Sequence, residues 1–302
     1  MEVLVRLFHL YNDTPDWNLA KDNTYKRVPG QTGYAVYGNR RQVMAPYRIN
    51  SSGYNSFRDF DPVEDEIEIA IFGDSFIEGF HQDYRNSLGK KVERGLSNVQ
   101  VYEYGHSNFD LADVMYLVNT NTSDMDKIDF IVYAIDYEYD LMRDTYKVVP
   151  RKVVFPLLRH SKFLVYLLDI GMIDQIKKVL RKWNVGQAPR EGVGKKIDRD
   201  SLFLHNFKTL TNKYGLEKKK VAFLLDGRHT SDQFLKYLSD NGIQIIDYGL
   251  AFQVSEDQGV PTTLIYDQHW NDHGRELIAE QIIDYFNKKN QYNSFKQKKS
   301  AE

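Results

Sequence analysis

Five short runs carry apolar or aromatic side chains at most positions: Ile67–Phe72, Val99–Tyr104, Phe130–Ile135, Val221–Leu225 and Ile243–Asp247. A run of this kind has little polar surface to turn toward water, so each predicts a strand buried on both faces. Between the runs, apolar residues recur at helical spacing. Asn86–Leu96 presents Leu88, Val92 and Leu96, and Leu111–Asn119 follows the second strand. Asp198–Tyr214 predicts the helix entering the fourth strand, and Phe234–Asn241 stops at Asn241-Gly242, a helix-end signal. His273–Phe286 carries Leu277, Ile278, Ile282, Tyr285 and Phe286 in one stripe. Alternating strands and helices predict an α/β fold, a three-layer, flavodoxin-like parallel sheet with right-handed crossovers.

Two regions depart from this rhythm. Residues 1–66 have few periodic signals and many aromatics, and predict an extended lead-in packing on the core, with a glycine turn inside Tyr47–Ser56. Residues 141–200 form a helical insertion after the third strand. Within it Ser161 is placed to cap a helix running to about Trp183, with Phe163, Leu164, Leu167, Ile170, Ile173, Ile176 and Leu180 as its stripe. Lys177, Lys178, Arg181 and Lys182 give that helix a solvated basic face. A Gly/Pro-rich basic loop follows at 184–196. The α/β domain therefore spans 67–286, and the Lys/Asn/Gln-rich residues 287–302 predict a flexible tail.

Composition narrows the function classes. Hydrophobic residues at 42% and charged residues at 27% are globular values, and a net charge of −2 gives no global pull toward nucleic acid or anionic membrane. There is no cysteine, which excludes disulfides, thiolate metal sites and a cysteine nucleophile. No apolar run reaches the length of a membrane span. Met1–Tyr11 is amphipathic and short; Glu2 and the lack of a small-residue cleavage site argue against a signal peptide. The expected compartment is cytoplasmic if Met1 is the native start, and extracytoplasmic if an upstream anchor has been removed.

The chemistry gathers in three places. Ile67–Phe72 ends in Gly73-Asp74-Ser75, so one serine stands at the carboxyl end of a buried strand, where ligands bind in open α/β sheets. The N–H groups that begin the next helix can point at a developing oxyanion. Near the other end, Asp267-Gln-His269-Trp-Asn271 precedes the last helix. His269 is the candidate base, and Asp267, on the same face of an extended segment, the candidate to orient it. Tyr104-Gly105-His106-Ser107-Asn108 ends the second strand, where glycine lets a backbone N–H approach a ligand. Asn108 tolerates the left-handed backbone a turn needs. The Gly-Asp-Ser and Gly105 segments, each alone, are more simply turns, and the Asp267–Asn271 segment equally a polar loop. Together they put a nucleophile, a base and an orienting carboxylate within reach of one rim.

With these segments the chain resembles the SGNH/GDSL hydrolase superfamily over roughly Tyr47–Phe286, outside the insertion. Gly73-Asp74-Ser75-Phe76 is similar to its first block, Gly105 to its second-block glycine, and Asp267 with His269 to its last block. The spacing Asp-x-His-Trp-Asn is similar to the branch that contains alginate O-acetyltransferase-like proteins. The resemblance implies the SGNH fold, a Ser75–His269–Asp267 triad, and an oxyanion hole from the N–H groups of Ser75 and Gly105. One departure stands out. The family's third block supplies an asparagine where this chain has Glu138 or Tyr139, so Tyr139 or Asn108 becomes the candidate replacement donor.

The function so implied is a serine ester hydrolase acting through an acyl-enzyme, with an O-acetyl or other short acyl group on a carbohydrate as preferred substrate. The alternatives are an O-acetyltransferase with the same triad and a sugar acceptor, or an impaired glycan-binding module. Asp74, Arg228, Trp270 and Asn271 are candidate substrate contacts. No cofactor and no nucleic-acid partner is expected. His269 and His273 are four residues apart, but no third ligand is evident, so no metal is assigned.

Overall fold

The computed structural model describes residues 1–38, 41–62, 66–149, 160–172 and 198–289. Its centre is a five-stranded parallel sheet. The strands are β5 (Ile67–Gly73), β6 (Val99–Gly105), β7 (Phe130–Ala134), β8 (Val221–Leu225) and β9 (Gln244–Asp247), in the spatial order β6-β5-β7-β8-β9. All five predicted strands form. Every residue of β5 and β8 is buried.

Helices cover both faces, as continuous apolar strands require. Strand residues of one parity, including Ala70, Phe72 and Tyr133, pack on α4 (Leu111–Thr120), α7 (Arg199–Tyr214) and α8 (Asp232–Asp240). The other parity, including Ile69, Ile71 and Val132, packs on α3 (Leu88–Gly95), α9 (Gly249–Asp257) and α10 (Asp272–Lys288). Helix α9 has no counterpart among the predicted elements; it starts directly after β9 and has no side-chain cap. The short α5 (Thr122–Met125) precedes β7.

The lead-in is more structured than its sequence suggests. After α1 (Glu2–Leu7) come two antiparallel hairpins, β1 (Trp17–Leu19) with β2 (Tyr25–Arg27), and β3 (Thr32–Tyr37) with β4 (Val43–Arg48). In the insertion, Ser161 Oγ accepts from Leu164 N–H and caps α6 (Lys162–Asp169). This helix ends at Asp169, and Gly171 adopts a left-handed φ of 72°. The remainder of the predicted helix, its basic face and the loop at 184–196 lie outside the described residues, as does the tail from 290. Among the described residues, no helix is long and apolar enough to cross a membrane.

Chain direction reverses at β5. From β5 the chain moves outward to the edge strand β6, then crosses back to β7 on the other side. The crevice beyond the carboxyl end of β5 lies at this switch point, where α/β sheets hold their ligands.

Candidate active site

Beyond Gly73, Asp74 caps the single-turn helix α2 (Ser75–Glu78), accepting the Phe76 N–H at 2.9 Å. Ser75 is the first helical residue, so its N–H has no intrahelical acceptor. Helix α2 is held against the edge strand by main-chain contact. A Cβ built on Gly105 would fall 2.1 Å from Glu78 N and 2.3 Å from Ile77 C. Only glycine fits there.

The late segment meets this turn. Ser75 Oγ lies 2.8 Å from His269 Nε2, and His269 Nδ1 lies 2.6 Å from Asp267 Oδ1. The same oxygen accepts the His269 backbone N–H at 3.2 Å. Burial pushes the Asp267 carboxyl up, but the hydrogen bonds and charge of His269 outweigh it and hold the group below its ordinary value. An ionised Asp267 fixes the His269 proton on Nδ1 and leaves Nε2 free to accept from the serine. Phe76 packs on His269 at 4.6 Å and on Trp270 at 4.7 Å between ring centroids.

A second histidine belongs to the site although no motif marks it. The His81 ring stacks on His269 with centroids 3.9 Å apart, and its other face stacks on Tyr37 at 4.0 Å. His81 Nε2 faces Asp267 Oδ2 at 3.4 Å. Burial, reinforced by the neighbouring His269, pushes His81 down to about 4, so it is neutral near pH 7. Ligand atoms of His81, Asp267 and His269 lie within 4.8 Å of one another. The two imidazole planes, however, are only 20° apart and stacked, so their lone pairs run side by side instead of converging on one point as a metal requires.

Behind α2 lies a buried polar knot. Glu78 accepts Arg27 Nε at 2.9 Å and the Ser107 N–H at 2.9 Å, and also pairs with Ser107 Oγ; His106 Nδ1 sits 3.6 Å away. Burial opposes its charge, yet His106 and Arg27 hold the carboxyl down to about 2. Arg27 also donates to the Pro15 carbonyl at 2.8 Å and lies over the Trp17 ring at 3.7 Å. Asn55 Nδ2 donates to the Glu78 carbonyl at 2.9 Å. Residues 15–55 therefore grip both the nucleophile helix and the loop after β6.

That loop bears on the oxyanion donors. The His106 N–H donates to the Gly73 carbonyl, in a ladder that pairs Gly73 with Gly105. Backbone groups alternate sides along a strand, so the Gly105 N–H is turned toward the sheet edge, away from β5. Asn108, three residues farther on in the turn after β6, has the left-handed φ of 61°.

Two small crevices flank Ser75. One, of about 10 Å³, is lined by Ser75, Gly79, His81, Gln82, His269 and Arg275 among others. The other, of about 40 Å³, is lined by Asp74, Phe76, Ala134, Asp136, Tyr248 and Trp270 among others. Burial, with Asp136 and Glu78 adding like charge, pushes Asp74 up to about 6.

Several predicted contacts sit elsewhere. Arg228 is held by Asp226 of its own turn at 2.7 Å and by Glu256 of α9 at 2.7 Å, so its guanidinium is engaged within the fold. Asn271 caps α10, accepting from Gly274 N–H and donating to the Pro261 and Thr263 carbonyls; all its polar atoms are used in the fold. Glu138 and Tyr139 are exposed, Tyr139 by two-thirds, because β7 ends early and the chain turns outward. The residues of this loop that line the crevice beside Asp74 are Ile135 and Asp136. His273 contacts Ser255 Oγ at 2.8 Å instead of joining His269. Asp74 and Trp270 do line the crevice.

No family model and no curated protein matches the chain. Among solved structures it is similar to a lipolytic protein of the G-D-S-L family from Veillonella parvula, at 14% identity and a TM-score of 0.43, over 74% of this chain and 100% of that one. A lipase/acylhydrolase from Enterococcus faecalis is similar at 15% identity and a TM-score of 0.41, over 73% and 95%. An acetyl xylan esterase from the rumen bacterium Butyrivibrio proteoclasticus is similar at 9% identity and a TM-score of 0.36, over 77% and 66%. None of these likenesses assigns a chemistry to this chain.

Proposed function

We propose that this protein is a serine ester hydrolase that removes a short acyl group, such as acetyl, from an oxygen of a carbohydrate. The observation that carries the reading is the continuous contact from Ser75 Oγ through His269 to Asp267, at 2.8 and 2.6 Å. In this reading His269 Nε2 takes the Ser75 proton as Oγ attacks the ester carbonyl. The negative charge that forms on the carbonyl oxygen is met by the Ser75 N–H and by a donor of the loop at Asn108, in preference to Gly105. His269 then gives its proton to the departing sugar oxygen, leaving an acyl-enzyme. Water, deprotonated by the same nitrogen, attacks this ester and releases the acid and free Ser75.

The crevice volumes favour a short acyl group. A space of about 10–15 Å³ holds roughly one water. The 40 Å³ crevice beside Asp74 and Trp270 has room for an acetyl group. Pure protein is therefore expected to hydrolyse an aryl acetate faster than an aryl octanoate. Ser75→Ala is expected to lower the acetate rate by at least about 10³-fold. Undiminished turnover by Ser75→Ala protein removes the proposal.

A further inference from the structure

A cleft far larger than the two crevices beside Ser75 lies elsewhere. It measures about 620 Å³ and opens between the β3–β4 hairpin, α6 of the insertion and the segment that carries the late aspartate. Volumes of about 300–1,000 Å³ are those of sites for small organic ligands. Its walls include Tyr37, Tyr166 and Tyr266, with Asn12, Arg41 and Asp169 between them.

We infer that this cleft binds the carbohydrate part of the substrate, a short oligosaccharide, and so forms the sugar subsite of the esterase. The inference rests on the reading of Ser75 as nucleophile. Its first ground is chemical. A pyranose ring has apolar C–H faces and a polar equatorial rim. Flat phenol faces cover the first, and amide, carboxylate and guanidinium groups around them satisfy the second. Burial pushes the Tyr37 and Tyr266 hydroxyls up to about 12, so both are neutral donors at any working pH.

The second ground is position. Tyr266 immediately precedes Asp267 in the chain. Tyr37 turns one ring face to His81, whose other face lies on His269. The cleft is thus separated from the general base by the His81 ring. In this inference, the neighbouring unit of a sugar seated there extends past His81 toward Ser75. The third ground is that the wall is firmly made. Asn12 N–H donates to Asp169 Oδ2 at 3.0 Å, Asn12 Oδ1 accepts the Val36 N–H at 3.1 Å, and Lys162 pairs with Asp13 at 3.0 Å. These contacts tie α6 to the hairpin.

The test separates the cleft from the nucleophile. Kinetics are compared on p-nitrophenyl acetate and on acetylated xylo- and chito-oligosaccharides. Tyr166→Ala is expected to raise KM for an acetylated oligosaccharide about tenfold, about 1.4 kcal/mol of binding. It is expected to leave kcat/KM for p-nitrophenyl acetate unchanged, and Tyr166→Phe to behave as the parent. An unchanged oligosaccharide KM in Tyr166→Ala, or equal losses on both substrates, overturns the inference. Calorimetry of Ser75→Ala protein with the same oligosaccharides reads the cleft without turnover. Binding that Tyr166→Ala weakens supports the cleft even if the parent hydrolyses neither ester, in which case it is the esterase reading that fails. Absence of binding by every oligosaccharide overturns the cleft.

Discussion

His81 lies face to face with His269, 3.9 Å between ring centroids, while its Nε2 faces the carboxylate that orients the base. Two imidazoles this close disfavour simultaneous protonation, and the outer one is the more buried, with a side chain 10% exposed against 19%. His81 therefore serves as a neutral spacer that packs the base and touches Asp267.

The first prediction concerns acid. His81 is depressed from an ordinary 6.5 to about 4, with burial the largest cause and His269 next; Asp267, Glu78 and Arg275 also act on it. A lowered value in the folded state means that the unfolded chain binds the extra proton first. Its contribution to stability is thus complete above about pH 6.5 and lost as the pH falls toward 4, on the order of 3 kcal/mol. His81→Phe keeps the stack and removes the titration. Its melting temperature is expected to drop less than the parent's between these two pH values. Its kcat is expected to fall by up to about tenfold, the worth of one weak contact to Asp267, with KM little moved. Parallel melting curves for the two proteins across this range contradict the assignment.

Arg27 and Glu78 are expected to behave as a buried pair. Their side chains are 5% and 1% exposed. Arg27→Met strands an ionised carboxylate and is expected to cost about 3–5 kcal/mol in urea unfolding. Adding Glu78→Gln, which keeps an oxygen for the Ser107 donors, is expected to recover a substantial part of the loss. A double variant no more stable than Arg27→Met sinks this account.

Asp136 offers a gain of function. It lines the crevice with Asp74, where a carboxylate repels a developing oxyanion. Asp136→Asn replaces that charge with an amide donor. On an aryl acetate at pH 8 its kcat is expected to rise, roughly tenfold for a donor not yet optimally placed. The advantage is expected to shrink as the pH falls and Asp136, which burial holds above its ordinary value, takes up a proton in the parent. Steady-state kinetics at several pH values decide it, and a lower kcat throughout contradicts it.

The parallel sheet was legible because strands buried on both faces cannot alternate, so their apolar runs stand out from the helices between them. Ser75, His269 and Asp267 were legible as short motifs at strand and helix ends, and the fold brings them together. The hairpins of residues 17–48 were not legible. Their strands are short or interrupted by Gly33 and Pro46, and residues they pack on, Glu78 and Phe80, lie outside the segment. His81 left no local signal, since its meaning arises only from the ring that lands on it from 188 positions away. Arg228 and Asn271 misled for the opposite reason. Each has the chemistry of a ligand contact, but each is already satisfied by partners within the fold.

The missing side chain at Gly105 carries a consequence for how this scaffold can change. Since backbone abuts backbone where the edge strand meets Ser75–Glu78, the nucleophile's height is set by the one part of the polymer that mutation leaves nearly constant. The aromatic lining around it can be exchanged for larger or smaller groups, altering what is admitted, while the hydroxyl keeps its station.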